Sequence, residues 1–133
     1  MSGHSFAVRV HYEDTDMAGI VYYANYLRYI ERARSDWVRG LGIDQLALKD
    51  AGIVFAVRRV EADYLAPAHF EDELQVQSAV ESVAPARLVM RQDVQRGEER
   101  IFSALVTLVA IGPGGRPVRL PAKLRSLQGV IGG

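Results

Sequence analysis

Residues 12–39 read YEDTDMAGIVYYANYLRYIERARSDWVR, and this stretch decides the architecture of the chain. Asp14 and Asp16 come first, two residues apart, and Gly19 follows as a turn residue. From Tyr22 onward, apolar side chains recur every three or four residues with no internal proline, which predicts an amphipathic helix. The residues at this spacing are Tyr23, Tyr26, Leu27, Ile30, Ala33, Trp37, Val38 and Leu41. The stretch therefore predicts an acidic turn that leads into a long helix beginning at Tyr23.

The first turn of a helix exposes unpaired N–H groups that carry partial positive charge. A carboxylate beside it can attack a carbonyl carbon, or activate water against it, while those N–H groups hold the carbonyl oxygen. Acids before a helix also serve as ordinary caps and turn formers. A calcium loop starting at Asp14 is excluded, because Ala18 offers no side-chain oxygen and Asn25 stands where a bidentate Glu is needed. The pattern alone leaves catalysis and capping open for Asp14 and Asp16.

The rest of the chain predicts an antiparallel sheet. Gly40 and Gly42 end the long helix, and Asp44 caps a short second helix over residues 45–51. The predicted strands cover residues 6–10, 53–65, 73–83, 87–95 and 100–111. The last of these is the most apolar and is expected to be covered on both faces, whereas the tail after Gly115 offers a short strand at most and then a frayed end.

These elements predict an α+β fold in one domain, residues 1–133. Short turns join antiparallel neighbours, and one striped helix can bury its apolar side against one face of a sheet. The chain of 133 residues is long enough for a core of this kind. We therefore expect an antiparallel sheet wrapped around one long central helix.

Composition excludes several classes of function. Sixteen basic and sixteen acidic residues balance, which argues against a nucleic-acid partner. Cysteine is absent, and His4, His11 and His69 are scattered, so no metal site is expected. The chain has no Gly-x-Ser-x-Gly elbow, so a serine hydrolase is not expected. It also has no apolar signal segment and no stretch of about 20 apolar residues, so we expect a cytoplasmic protein without a transmembrane segment.

Two segments carry a resemblance to a known family. YEDTDMAGIVYYANYLRYIERAR (12–34) and VRRVEADYLAPAHFEDEL (57–74) resemble the signature of the hotdog-fold acyl-CoA thioesterases. Within them, the chain is similar to the 4-hydroxybenzoyl-CoA thioesterase group, including the bacterial thioesterases associated with the Tol–Pal system. The resemblance implies the hotdog fold and the hydrolysis of an acyl-CoA thioester to a carboxylic acid and CoA.

The resemblance also implies roles for individual residues. Asp16 would be the catalytic carboxylate, acting either as general base on water or as nucleophile, and the backbone N–H of Tyr23 would polarise the thioester carbonyl. Tyr23 stands where relatives often carry His, and a phenol cannot act as a base near neutral pH, so only its amide is assigned a role. For Tyr12 the residues leave two interpretations open: it orients Asp16 as part of the catalytic site, or it is an ordinary aromatic residue at a strand end. Arg59 and Arg87 would lie near the CoA phosphates.

The implied partners are acyl-CoA as substrate and acyl-carrier protein as a candidate second partner. No metal or redox cofactor is expected, because CoA is part of the substrate. A sheet with unpaired edges predicts a homodimer or homotetramer whose active sites are shared between subunits. Two alternatives stay open: a hotdog enoyl-CoA hydratase, which calls for an Asp–His pair, and a non-catalytic acyl-CoA or acyl-carrier-protein binding module, whose binding would survive the loss of Asp16.

Overall fold

The computed structural model describes residues 3–127, which form one antiparallel sheet folded against a long helix. The strands are β1 (His4–Arg9), β2 (Val54–Tyr64), β3 (Glu73–Ala84), β4 (Arg87–Arg96), β5 (Glu99–Ile111) and β6 (Pro117–Val118). The helices are α1 (Asn25–Gly40), α2 (Gln45–Asp50) and α3 (Ala122–Arg125). The sheet order is β1-β3-β4-β5-β2, with β6 paired to β5. The predicted α+β architecture is confirmed.

Helix α1 packs against the inner faces of β1, β3 and β4. Its buried residues are Tyr26, Tyr29, Ile30, Ala33, Trp37 and Val38. Two residues of the predicted apolar stripe are exposed rather than buried: Tyr23 is 62 % exposed and Leu27 is 38 % exposed. Tyr29, which was not part of the predicted stripe, is buried. The buried side of α1 is thus turned toward the β1–β3–β4 part of the sheet, and the side nearer the edge strand β2 stays open.

The predicted start of the long helix at Tyr23 is wrong by two residues. The helix begins at Asn25, and residues 23 and 24 form a turn in which Ala24 already has right-handed helical dihedral angles. Asn25 N–H donates to the Tyr22 carbonyl (2.8 Å) and Tyr26 N–H to the Tyr23 carbonyl (3.4 Å). These are three-residue turn bonds, so the regular four-residue helical ladder starts only after them.

The following connection matches its prediction. Gly42 adopts φ +80°, a conformation that favours glycine, just after the end of α1. The Asp44 carboxylate then accepts hydrogen bonds from Leu46 N–H (3.0 Å) and Ala47 N–H (3.1 Å), capping α2 as expected.

Two expectations about the end of the chain are corrected. The tail folds into more than a short strand, because α3 follows β6 and buries Leu124. Its four residues are too few to show helical periodicity. Strand β5, expected to be covered on both faces, is covered on its inner face, but its outer residues stay partly exposed in the single chain. The predicted frayed end lies beyond residue 127, outside the described residues.

A bulge in the edge strand β2 decides where its arginines lie. Val57 pairs with Leu108 of β5, and Arg59 pairs with Thr107, so Arg58 is the extra residue. Leu108 is buried and Thr107 is partly exposed. Because cross-strand partners share a face, the bulge places Arg59 on the outer face of the sheet, away from α1.

Candidate active site

A small hairpin before α1 carries the predicted catalytic carboxylate. Residues 14–16 run antiparallel to residues 20–22: Asp16 N–H donates to the Ile20 carbonyl (2.9 Å), and Tyr22 N–H donates to the Asp14 carbonyl (2.9 Å). Tyr23 follows immediately at the base of the hairpin. Asp16 and the start of α1 are therefore held in one short unit of chain.

The loop after β2 fixes this hairpin to the sheet. Val21 N–H donates to the Ala68 carbonyl (2.8 Å), and Ile20 forms an antiparallel bridge with His69. Arg96 of β4 holds the same loop by hydrogen bonds to the Pro67 carbonyl (2.9 Å) and the Asp72 carboxylate (2.8 Å). These contacts position the hairpin although its tip is solvent-exposed.

The Asp16 carboxylate is exposed and has one free oxygen. Its Oδ1 accepts a hydrogen bond from Ala18 N–H (2.9 Å), and its carbonyl accepts one from Gly19 N–H (2.9 Å). Within residues 3–127, Oδ2 has no hydrogen-bond partner. Gly19 has φ +80°, which lets the chain turn tightly beside the carboxylate. This arrangement orients Asp16 while leaving an oxygen for chemistry.

Asp14, unlike Asp16, accepts hydrogen bonds from several neighbouring residues. Its Oδ2 accepts from the Tyr29 hydroxyl (3.0 Å) and from His11 N–H (2.9 Å), and its carbonyl accepts from the Asn25 side-chain amide (2.9 Å). Burial, and then the hydrogen bond to Asp14, raise the pKa of Tyr29 well above its ordinary value. Asp14 therefore fastens the hairpin to α1.

The turn between the hairpin and α1 presents two backbone donors. The amides of Tyr23 and Ala24 have no acceptor among the described residues. The carbonyls of Tyr22 and Tyr23 point toward the helix, where they accept the amides of Asn25 and Tyr26. Because a trans peptide places its N–H opposite its C=O, the two free amides point away from the helix body. They form a candidate oxyanion hole.

Tyr12 is not in contact with Asp16 through a hydrogen bond among the described residues. Its ring is 77 % exposed and packs edge-on against Phe70, with 5.9 Å between centroids. Its predicted role in orienting Asp16 stays a prediction.

Arg59 and Arg87 lie near each other but far from Asp16 within one chain. They flank β5 from opposite sides, Arg59 opposite Thr107 and Arg87 opposite Val109, and both side chains are on the outer face. Arg59 forms an exposed ion pair with Glu61 (3.3 Å), and the structure gives Arg87 no ion pair within the described range. Along β2, Arg59 lies five residues before Tyr64, which is the strand residue that contacts Tyr23. Five residues of strand span roughly 16 Å.

The residues near Asp16 do not enclose a substrate by themselves. Asp16, Tyr12 and Tyr23 are all exposed. A cavity of about 190 Å³ lies at the other end of α1, and its apolar wall includes Trp37, Phe55, Leu108, Leu120 and Leu124. Trp37 is twelve residues beyond the start of α1, which is about 18 Å along the helix.

Across residues 3–127, no group of three or more His, Asp or Glu side chains gathers in a geometry that could hold a metal ion. The expectation that no metal or cofactor takes part stays a prediction. None of the described helices is long and apolar enough to cross a membrane.

One residue that bears on this site was missed from the sequence. Tyr64, the last residue of β2, donates a hydrogen bond from its hydroxyl to the Tyr23 carbonyl (3.1 Å). The two residues are 41 positions apart, and an aromatic residue at the end of a strand is common in any sheet. No sequence spacing could have indicated this contact.

Comparison with known proteins defines the class. Residues 10–127 match the family described as the thioesterase-like superfamily, so the chain belongs to that family and is a thioesterase. It is 35 % identical over 127 residues to the acyl-CoA thioesterase YbgC of Haemophilus influenzae, covering 94 % of this chain and 93 % of that protein. It is 37 % identical over 107 residues to the acyl-CoA thioester hydrolase YbgC of Escherichia coli, covering 80 % of each.

Solved structures confirm the predicted hotdog fold. A probable thioesterase from Bartonella henselae superposes with a TM-score of 0.86 at 33 % identity, covering 90 % of this chain and 99 % of that one. The 1,4-dihydroxy-2-naphthoyl-CoA thioesterase Slr0204 of Synechocystis gives a TM-score of 0.87 at 20 % identity, with 98 % of each chain covered. At that identity, the second likeness shows the fold alone.

Proposed function

We propose that this chain hydrolyses acyl-CoA thioesters to a carboxylic acid and CoA, with Asp16 as the catalytic carboxylate. The observation that carries the proposal is a short hairpin that bears the Asp16 carboxylate, one oxygen of which has no partner among the described residues, and that leads directly into the turn with the two unpaired amides of Tyr23 and Ala24. The names of the relatives in Haemophilus and Escherichia support CoA as the thiol.

The chemistry requires a base or nucleophile on one side of the thioester and donors on its oxygen. Asp16 either takes a proton from water as the water oxygen attacks the carbonyl carbon, or attacks that carbon itself and forms a mixed anhydride that water then opens. Negative charge develops on the carbonyl oxygen, where the amides of Tyr23 and Ala24 donate. The C–S bond then breaks, and the CoA sulfur leaves with the electron pair and is protonated.

The donor at Tyr23 is its main chain, and this can be tested directly. Tyr23→Phe keeps the amide and should retain most of the turnover. Tyr23→Pro deletes an N–H that makes no hydrogen bond within the described residues, and proline is tolerated just before a helix. We expect kcat to fall about 10²-fold or more, as for the loss of an oxyanion donor.

The contrast between the two Tyr23 variants is measured by steady-state kinetics, with circular dichroism as the check on folding. A Phe variant as inactive as the Pro variant would place the phenol, rather than the amide, in the chemistry.

Binding of the CoA end is proposed to use Arg59 and Arg87 of a second subunit. Both arginines are on the outer face of the sheet, remote from Asp16 of their own chain, and guanidinium groups suit phosphate. The exposure of Asp16 and Tyr23 supports the same arrangement, since a substrate there needs further protein to cover it. The assembly would be a homodimer or a pair of dimers. A cytoplasmic location stays a prediction.

The proposed reaction is tested by thiol release from a panel of aliphatic and aromatic acyl-CoA substrates, with acyl-carrier-protein thioesters as a second arm. We expect stoichiometric free CoA and carboxylic acid. Hydration of enoyl-CoA without thiol release would indicate a hydratase, and tight acyl-CoA binding without turnover would indicate a binding module; either result contradicts the proposal. Turnover of the carrier-protein thioesters would add that partner.

A further inference from the structure

Tyr64 supports the proposed oxyanion hole from the sheet. We propose that Tyr64 is a positioning residue, whose hydroxyl holds the Tyr23–Ala24 peptide so that its N–H faces the reacting carbonyl. This inference rests on the proposed function and adds a residue from β2, 48 positions after Asp16 in the sequence. The hydroxyl of Tyr64 donates to the Tyr23 carbonyl oxygen at 3.1 Å.

Apart from the contact with Tyr64, the Tyr23–Ala24 peptide is held by only one weak hydrogen bond to its carbonyl. The Tyr22 carbonyl accepts a short hydrogen bond of 2.8 Å from Asn25 N–H, whereas the Tyr23 carbonyl accepts only a long one of 3.4 Å from Tyr26 N–H. The Tyr64 hydroxyl supplies the shorter contact to Tyr23. Because the Ala24 N–H belongs to the same planar peptide as the Tyr23 carbonyl and points the opposite way, fixing the carbonyl aims the amide.

The ring of Tyr64 is held in place by aromatic neighbours. Its centroid is 5.0 Å from the fully buried Phe102, 5.5 Å from Tyr26 and 6.0 Å from Tyr23, all in near-perpendicular or steeply tilted contacts. Edge-to-face packing of this kind fixes ring orientation. Tyr64 is 46 % exposed, and its partial burial, and then the neighbouring Tyr23, raise the pKa of Tyr64. A tyrosine hydroxyl keeps its proton at neutral pH and can therefore donate.

The test separates positioning from simple stability. Tyr64→Phe removes only the hydroxyl and keeps the ring cluster. We expect kcat for acyl-CoA hydrolysis to fall about fivefold to tenfold, the effect of one neutral hydrogen bond felt in the transition state. KM should change less than about twofold, because the contact is not to the substrate.

Gln92→Met is the control for loss of stability. The fully buried side chain of Gln92 donates to the Ile30 carbonyl and the Ser78 hydroxyl, both at 2.9 Å, and makes no hydrogen bond with the Tyr23 turn. This variant should lose thermal stability while keeping kcat within about twofold of wild type. If Tyr64 were merely structural, the kcat loss in Tyr64→Phe would not exceed that in this less stable control.

Two results would overturn the inference. One is a Tyr64→Phe enzyme with wild-type kcat, and the other is a kcat loss in Gln92→Met as large as that in Tyr64→Phe. Both are measured against a wild type that releases thiol, so they remove the role of Tyr64 and leave the proposed function standing. A wild type without thiol release removes the proposed function itself, and the inference with it.

Discussion

Asp14 and Asp16 are separated by one residue, and their surroundings give them different tasks. Asp14 accepts two hydrogen bonds on one carboxylate oxygen, from Tyr29 and His11, and anchors the hairpin. Asp16 is exposed, with one oxygen free of partners among the described residues. The sequence spacing could place both acids in one turn, but it could not assign them different roles. The hydrogen bond that sets Asp14 apart comes from Tyr29 of α1, which is 15 positions later in the sequence.

Tyr29→Phe tests the anchoring role of Asp14. The substitution removes the hydroxyl that donates to Asp14 from a side chain that is only 1 % exposed. We expect the free energy of unfolding to fall by about 1 kcal/mol at neutral pH, as for one hydrogen bond. Urea denaturation measures this change, and an unchanged midpoint would show that the bond does not hold the hairpin.

The hydrogen bond between Tyr29 and Asp14 also predicts how stability depends on pH. The pKa of Tyr29 is higher in the folded chain than its ordinary value near 10 in the unfolded chain. The hydrogen bond therefore contributes fully below about pH 10, and its contribution declines as the pH rises from there toward the folded pKa. The stability difference between wild type and Tyr29→Phe should be constant from pH 7 to about 9 and then shrink; growth of the difference above pH 10 would contradict this assignment.

At the scale of elements, a buried polar cluster joins α1 to the sheet. Gln92 of β4, fully buried, donates through its side-chain nitrogen to the Ile30 carbonyl and the Ser78 hydroxyl, both at 2.9 Å. Its oxygen accepts from Arg34 at 2.8 Å. Burial lowers the pKa of Arg34, and the guanidinium still stays charged at neutral pH. The cluster therefore fixes the position of α1 across β3 and β4.

Gln92→Met tests this cluster. The substitution keeps the volume but leaves the Arg34 guanidinium and the Ser78 hydroxyl without their partner, so we expect a loss of about 2 kcal/mol in the free energy of unfolding. In Arg34→Met/Gln92→Met, the combined loss should be smaller than the sum of the single losses by about 1 kcal/mol. Gln95→Met, on the same strand, serves as the control and should cost less than about 0.5 kcal/mol. Strict additivity would show that the two side chains do not depend on each other.

The elements themselves were largely predictable, and the differences have local causes. Alternation and turn residues placed β3 and β4 within one residue of their observed ends. The start of α1 was misplaced because the tyrosines keep helical spacing through a turn that is not yet a helix. The bulge at Arg58 leaves no mark in the sequence, yet it alone decides which face of the sheet Arg59 occupies.

At the scale of the whole molecule, the sheet ends in a long unpaired edge. Strand β2 has 11 residues and pairs with β5 on one side only among the described residues. Val54, Val57 and Val60 on this strand are 44 %, 45 % and 39 % exposed. An exposed apolar edge strand is a site for pairing with another chain. We therefore expect a homodimer that covers β2.

A subunit-mixing experiment tests whether the active site is shared. Asp16→Asn and Arg87→Glu chains should each be nearly inactive alone if Asp16 acts with Arg87 of the other subunit. Mixed dimers should then recover up to half of the wild-type activity, because one of two sites is intact. Light scattering provides the control for assembly. A monomer with full activity, or no recovery despite proven subunit exchange, would place each complete site within one chain.

The catalytic role of Asp16 is tested by Asp16→Asn, compared with Glu13→Gln as a matched acid-to-amide change on the same segment. Kinetics of thiol release and calorimetric binding of the acyl-CoA would be measured on both variants. For Asp16→Asn we predict a kcat at least about 10²-fold below wild type, a similar Kd for acyl-CoA and an unchanged melting temperature, since the substitution removes only the charge that performs the chemistry. Glu13→Gln should match wild type. A folded Asp16→Asn enzyme that hydrolyses acyl-CoA at the wild-type rate would show that Asp16 is not the catalytic carboxylate.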